Sequence, residues 1–302
     1  MSVQVLQSIK QAIGNLNPEE IRSHTGRPLR LFLNASRDDD YRRMEQFFAP
    51  RELSRAKSSQ VRSRLYRASD GVSPASASDL EIYFEPEAKA AAGAYADLAA
   101  HNVFAFYADD PERTIRDVLQ RRPDLAIPLA LHLIPFRNEV SRRIIKKVAR
   151  ENALFALATA VPDIIPFISL PWAIGEFASD TAVLTANQIR MAFILAAAND
   201  HDIGYREQKG EIASIVLGAF GWRAVARELV GKIPLGGGLI PKAAIAYAGT
   251  RVVGLSLERF YRVGKGYTRE ERRVAYEDAL ERGKRLTATL LETLKPRWQA
   301  ET

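Results

Sequence analysis

The sequence predicts an α+β chain in which a small N-terminal α/β domain with few strands precedes a mostly helical C-terminal bundle. Short runs with β-forming character, LRLFLNAS (29–36), DLEIYFE (79–85) and NVFAFYAD (102–109), all lie before Pro111. The helical patterns DDYRRMEQFF (39–48) and EAKAAAGAYADLAAH (87–101) separate them, and that alternation favours a partly parallel sheet. After Pro111 the strand signal ends and one helical pattern follows another. The expected division is therefore an α/β domain over 1–110 and a helical domain over 111–302.

The opening MSVQVLQSIKQAIGNL spaces its apolar residues as a short amphipathic helix does, without the charged start, apolar run and cleavage site of a secretory signal. The stretch 71–78, rich in Ser, Ala and Pro, reads as an exposed loop. Beyond Pro111 come PERTIRDVLQRRP and AIPLALHLIPFRNEVSRRIIKKVAR, the latter punctuated by Pro128 and Pro135 and basic in its last turns. The most apolar part, ALFALATAVPDIIPFISLPWAIGEFA (153–178), runs into SDTAVLTANQIRMAFILAAAND. IASIVLGAFGW and LGGGLIPKAAIAYAGTRVVGLSL follow, and the charged amphipathic pattern TREERRVAYEDALERGKRLTATLLETLK closes the chain.

Composition narrows the chemistry. The chain has 302 residues, 47% hydrophobic and 26% charged, an ordinary globular balance. It has no cysteine, hence no disulfide, thiolate zinc site or thiol nucleophile, and a reducing compartment fits. Its 43 Lys+Arg outnumber 36 Asp+Glu for a formal net charge of +7, which makes anionic surfaces plausible partners. No nucleic-acid reader motif accompanies that charge, so nucleic acid is not expected. The 4 histidines, at 24, 101, 132 and 201, have no metal-ligand spacing. In NDHDIG, Gly204 stands one place too early for a calcium loop, and a helix-connecting turn suffices. With no G-x-S-x-G, H-E-x-x-H or identifiable catalytic carboxylate pair, the expectation is a non-enzymatic protein without cofactor or metal.

Over 151–267, the blocks ENALFALATAVPDIIP, DTAVLTANQIRM, GEIASIVLGAFGWRAVARELVGKIP and IPKAAIAYAGTRVVG resemble in order and spacing the YcjF-type domain of unknown function, which also occurs fused to Era-like small GTPases. The resemblance covers about half the chain, and each block alone is only a hydrophobic helix. It implies a mostly helical domain, membrane association in some members, a small GTPase in the same chain or nearby, and no assigned catalytic residues. The N-terminal half departs from the GTPase-fused members. A phosphate loop needs G-x-x-x-x-G-K-[ST] between strand and helix, whereas LRLFLN is followed by ASRDDD, without glycine or lysine. An α/β region related to a GTPase would thus be degenerate, unable to hold nucleotide in the usual way.

Two constellations remain. Arg142, Arg143, Lys146, Lys147 and Arg150 directly precede the apolar segment, as a juxtamembrane anchor on the cytoplasmic side does; a solvated helix face is the plainer alternative. Asp163, Pro162, Pro166 and Pro171 argue against a straight span at 153–178, leaving a hairpin, a re-entrant element or a bundle with a greasy surface. Further on, Glu176, Asp180, Asn187 and Arg190 fall near one helical line, with Arg223 and Arg227 as natural partners for the two acids. This reads as a register-fixing buried network in preference to an ion or ligand pocket. Gly236, Gly237 and Gly238, beside Lys242, read as a turn between apolar helices and not as a phosphate cradle. The leading expectation is a membrane-associated adaptor or scaffold, peripheral or re-entrant on the cytoplasmic side, with a protein partner that the resemblance makes a small GTPase. The alternative is a soluble cytoplasmic module that self-associates or binds proteins through its helices. Oligomeric state is left open.

Overall fold

The computed structural model describes residues 3–14, 16–25, 28–67, 79–85, 102–160, 180–218 and 239–298. The sequence-predicted helix over 87–101, the loop 71–78, Pro162, Asp163, Pro166, Pro171, Glu176, Arg223, Arg227 and Gly236 to Gly238 lie outside them. The fold is α+β, with a small parallel sheet near the N-terminus and a helical C-terminal region.

The described elements begin with α1 (Val3–Gly14) and α2 (Pro18–Thr25). The α/β part contains β1 (Leu31–Asn34), α3 (Asp38–Phe48), α4 (Arg55–Arg62), β2 (Leu65–Arg67), β3 (Leu80–Phe84), β4 (Val103–Phe106) and α5 (Pro111–Arg121). After a 3₁₀ turn (Pro123–Leu125) come α6 (Ala126–His132), α7 (Ile134–Ala158), α8 (Asp180–Ala198), a helical stretch over 209–218, α9 (Leu239–Val263) and α10 (Arg269–Trp298).

Two compact units emerge: one of 20–141 with 197–200, the other of 1–19, 142–196 and 201–302. They divide the chain differently from a boundary at 110. Packing explains the difference. On α5, Ile115, Val118 and Leu119 are buried, Thr114 accepts a hydrogen bond from the Tyr107 amide at 3.1 Å, and Arg121 lies 3.7 Å over the Phe104 ring while donating to the Val103 carbonyl. Residues 111–121 are therefore tied to β4. In the other unit, Ile9 and Ala12 of α1 pack with Ala182 and Ala186 of α8.

The sheet has strand order β2-β1-β3-β4, and every described pairing is parallel. Leu31 pairs with Leu65 on one side and Leu80 on the other. Central parallel strands are covered on both faces and become continuously apolar; accordingly Leu31, Phe32 and Leu33 are all buried. β2, which sequence analysis did not anticipate, is a half-buried edge strand. At the amino edge Arg122 donates to the Asp79 carbonyl and the Asn102 side chain, joining the approaches to β3 and β4.

In the helical unit, α9 and α10 pack through Ala244, Ala248, Val252, Tyr276, Ala279 and Leu280. A capping box starts α10: the Glu271 amide donates to Thr268 Oγ1 at 3.2 Å and the Thr268 amide donates to Glu271 Oε2 at 2.8 Å. Arg259 of α9 donates to the same carboxylate at 2.6 Å, and these bonds hold its pKa down to about 2. Glycine permits the close approach of this pair. A Cβ on Gly283 would lie 2.8 Å from the Ala244 carbonyl oxygen and 3.0 Å from its Cα, backbone atoms that cannot rotate away.

Gly283→Ala should therefore lower stability by about 1–3 kcal/mol through overpacking. Gly210→Ala, where nothing lies within 4 Å, should be neutral or stabilising by up to roughly 1 kcal/mol from helix propensity. Chemical denaturation of both variants checks the opposite signs.

Candidate functional site

In open parallel sheets, ligands settle outside the carboxyl ends of the strands where the strand order reverses. Here that place is between β1 and β3. Asn34 ends β1, and its Nδ2 is buried without a hydrogen-bond partner among the described residues. The following helix opens with Asp38, Asp39 and Asp40. Asp38 is ion-paired with Arg67 at the end of β2, and this hydrogen bond and charge hold its carboxyl below the usual range. Arg67 also lies 4.6 Å over the Tyr41 ring. Carboxylates complement the positive end of the helix dipole. A phosphate at the same helix start would be repelled by them.

The basic cluster lies on α7. Arg142, Lys146, Lys147 and Arg150 are exposed and Arg143 is half-buried. Intervals of four residues stack Arg142, Lys146 and Arg150 on one face, while Ile145, Val148, Ala149 and Asn152 point into the unit and are buried. The described start of the apolar segment is interior: Ala153, Phe155, Ala156, Leu157 and Ala158 are buried, and Ala153 and Leu157 pack with Ala243 and Tyr247.

The predicted polar line resolves into two groups. Asn187 and Arg190 meet, with Arg190 Nε donating to Asn187 Oδ1 at 3.1 Å. Their partners are residues that the sequence reading did not include. Asn187 Nδ2 donates to Asn152 Oδ1 at 2.7 Å, and Asn152 Nδ2 donates to Thr250 Oγ1 at 2.7 Å. Gln188 also donates to Thr250, at 3.2 Å, and Arg190 donates to Glu151 at 2.7 Å. Thus α7, α8 and α9 are laced together through buried amides. Asp180, seven residues before Asn187, instead pairs with Lys242 at 2.6 Å, both carboxylate and ammonium being roughly 40% exposed; Thr159 bonds to each of them.

A third constellation, in the α/β unit, has no counterpart in the sequence reading. Lys57 of α4 and Arg137 of α7 both reach Asp200, the latter at 3.7 Å. Arg137 also donates to the carbonyls of Ala130 and Leu131 at the end of α6. Asp200 has φ +64°, a left-handed conformation uncommon outside glycine. Beside them, Arg64 Nη2 lies 3.5 Å from His132 Nε2. Burial, and then the charges of Arg64 and Lys57, push the His132 pKa down to about 4, against the opposing influence of Asp200.

Comparison with known proteins finds no matching family model, no matching curated protein and no matching solved structure. No group of three or more His, Cys, Asp or Glu among the described residues is arranged to hold a metal.

Asn152→Ala would leave the Asn187 Nδ2 donor without its partner in the interior and Thr250 with Gln188 alone, and should cost about 1–3 kcal/mol. Asp180→Asn, which touches a half-exposed ion pair, should cost at most roughly 1 kcal/mol. Thermal unfolding of the two variants tests that order. His132 titrates lower in the folded than in the unfolded chain, so between about pH 6.5 and 4 the unfolded state binds the extra proton. Its contribution to stability is thus complete above that window and lost as pH falls through it. His132→Gln should flatten this part of the stability-versus-pH curve, measured by urea unfolding.

Proposed function

We propose that this chain is a non-enzymatic, membrane-associated adaptor that binds an anionic bilayer surface through the basic face of α7 and engages a protein partner. The supporting observation is the exposure of Arg142, Lys146, Lys147 and Arg150 immediately before the apolar segment. Clustered Lys and Arg next to an apolar element favour anionic lipid by about 1 kcal/mol per charge near the surface. The partner's class, a small GTPase, rests on the resemblance of residues 151–267 to the YcjF-type domain. The acidic start of α3 fits an α/β unit that serves as a contact module rather than a nucleotide site. On this reading the chain acts on the cytoplasmic side of the membrane.

A soluble self-association or protein-interaction module is the second reading, and a specific observation favours it. Helix α8 is long and apolar enough to cross a membrane by length and composition, yet most of it is buried inside the folded chain. Core helices of soluble proteins behave in this way.

Flotation with anionic liposomes separates the two. Arg142 and Arg143 have further interactions, so the informative variant changes Lys146, Lys147 and Arg150 to Gln. The adaptor should float at low salt, and the triple variant should lose roughly 3 kcal/mol of partitioning, about a hundredfold. Resistance to both high salt and carbonate would place the apolar segment in the bilayer. Failure of the unaltered protein to float at any salt concentration removes the membrane role and leaves the second reading.

A further inference from the structure

We propose that Lys57, Arg64, His132 and Arg137 form a binding site for a phosphate group at the amino edge of the sheet, a site that Asp200 occupies in part. The Arg64 carbonyl accepts from the Leu31 amide at 2.9 Å, which fixes Arg64 just before β2 and beside the first residue of β1. The site is thus at the opposite end of the strands from the Asp38 helix start, and it is independent of the membrane reading.

Charge and hydrogen bonding both leave a deficit there. Lys57 and Arg137 share one carboxylate, Asp200, and Arg64, beside the His132 ring, makes no ion pair among the described residues, so the three cations outnumber their carboxylate partner by two. Each of the three cationic side chains is partly buried, where solvent screening is weakened. Arg137 is already engaged with helix-end carbonyls. Arg64 is not comparably engaged: its guanidinium makes one long contact, to His132, and its Nε is buried without a partner among the described residues. A guanidinium has five donors in a planar fork suited to phosphate oxygens. Unsatisfied buried donors call for an explanation, and a bound ion is a standard one.

The uncompensated charge also selects the ligand. A carboxylate brings a single negative charge and is already represented by Asp200. A phosphate monoester brings about −1.5 to −2 at neutral pH together with three acceptor oxygens. It would cancel the excess and accept from Arg64 and Lys57. It would also offset the Arg64 and Lys57 charges that, after burial, hold the His132 pKa down, so that binding and proton uptake at His132 are linked. The charged groups acting on that imidazole are Arg64, Lys57 and Asp200.

The test is a titration of the full-length protein with inorganic phosphate, against chloride at matched ionic strength, following the His132 ring by NMR as a function of pH. Saturable binding is expected, with the His132 midpoint rising by a pH unit or more. Arg64→Gln should weaken phosphate binding at least tenfold. Asp200→Asn removes the competing carboxylate at a backbone conformation that Asn tolerates, and should tighten binding severalfold. O-phosphoserine and vesicles containing phosphatidic acid then compete for the bound phosphate: displacement by the first marks a soluble phosphomonoester site, by the second a lipid headgroup site. The proposal fails if phosphate does no more than chloride, if Arg64→Gln binds as the unaltered protein does, if Asp200→Asn weakens binding, or if neither competitor displaces it.

Discussion

The buried amide of Asn152 constrains the helical unit in a directional way that its apolar contacts do not. Hydrophobic packing is non-directional and tolerates a slide or rotation of one helix against another. An amide in the interior does not, because its donors and acceptor must meet partners in fixed directions or leave the cost of desolvation uncompensated. Asn152 meets Asn187 of α8 and Thr250 of α9, and both contacts are 2.7 Å. Rotating α7 by one residue would break both. The same rotation sets what α7 shows to water: at about 100° per residue, Lys146 and Arg150 lie roughly 200–240° around the helix from Asn152. Orientation of the basic face is thus a consequence of the buried network.

Small residues let that network close. A Cβ on Gly254 of α9 would lie 2.8 Å and 2.9 Å from the two γ carbons of Ile145 and 3.1 Å from Met191 Sδ. Without side chain at this position, α7, α8 and α9 come near enough for short amides and hydroxyls to reach across. The Asn152–Asn187–Thr250 chain and the Gly254 contact support each other, since neither would be satisfied at the wider spacing that a larger residue imposes.

The apolar strands at 31–34, 80–84 and 103–106 were legible because their residue types and bounding turns are local signals. β2 was not. Leu65, Tyr66 and Arg67 form a three-residue, half-buried edge strand, and nothing in so short a run separates it from a loop. Asn187 and Arg190 were recognisable as polar residues on an apolar helix, but Asn152, Gln188 and Thr250 were not foreseeable as their partners. Helical period tells which residues share a face and carries nothing about which face of another helix lies opposite. The cluster around Asp200 was still less accessible: Lys57 and Asp200 are 143 residues apart. The sequence carries one hint, the acidic Asp200 in a turn between helices; its local signal marks the turn and carries nothing of the role as counter-charge.

The net charge of +7 resolves into features of different physical character. On α7 the cations are exposed at 142, 146, 147 and 150, where mobile ions screen them within about 8–10 Å at ordinary salt. Such a face attracts extended anionic surfaces weakly and reversibly. Lys57 and Arg137 are partly buried around the Asp200 carboxylate and Arg64 is partly buried beside His132, and ions of the solvent compensate them less well. Their field is local, persists at higher salt and favours a compact anion with directed oxygens. Salt should therefore distinguish the two without any substitution: a ligand held by α7 weakens steeply with ionic strength, and a ligand held beside Arg64 weakens less. Excess positive charge alone, read from composition, cannot make this distinction; the depth at which each cation is held can.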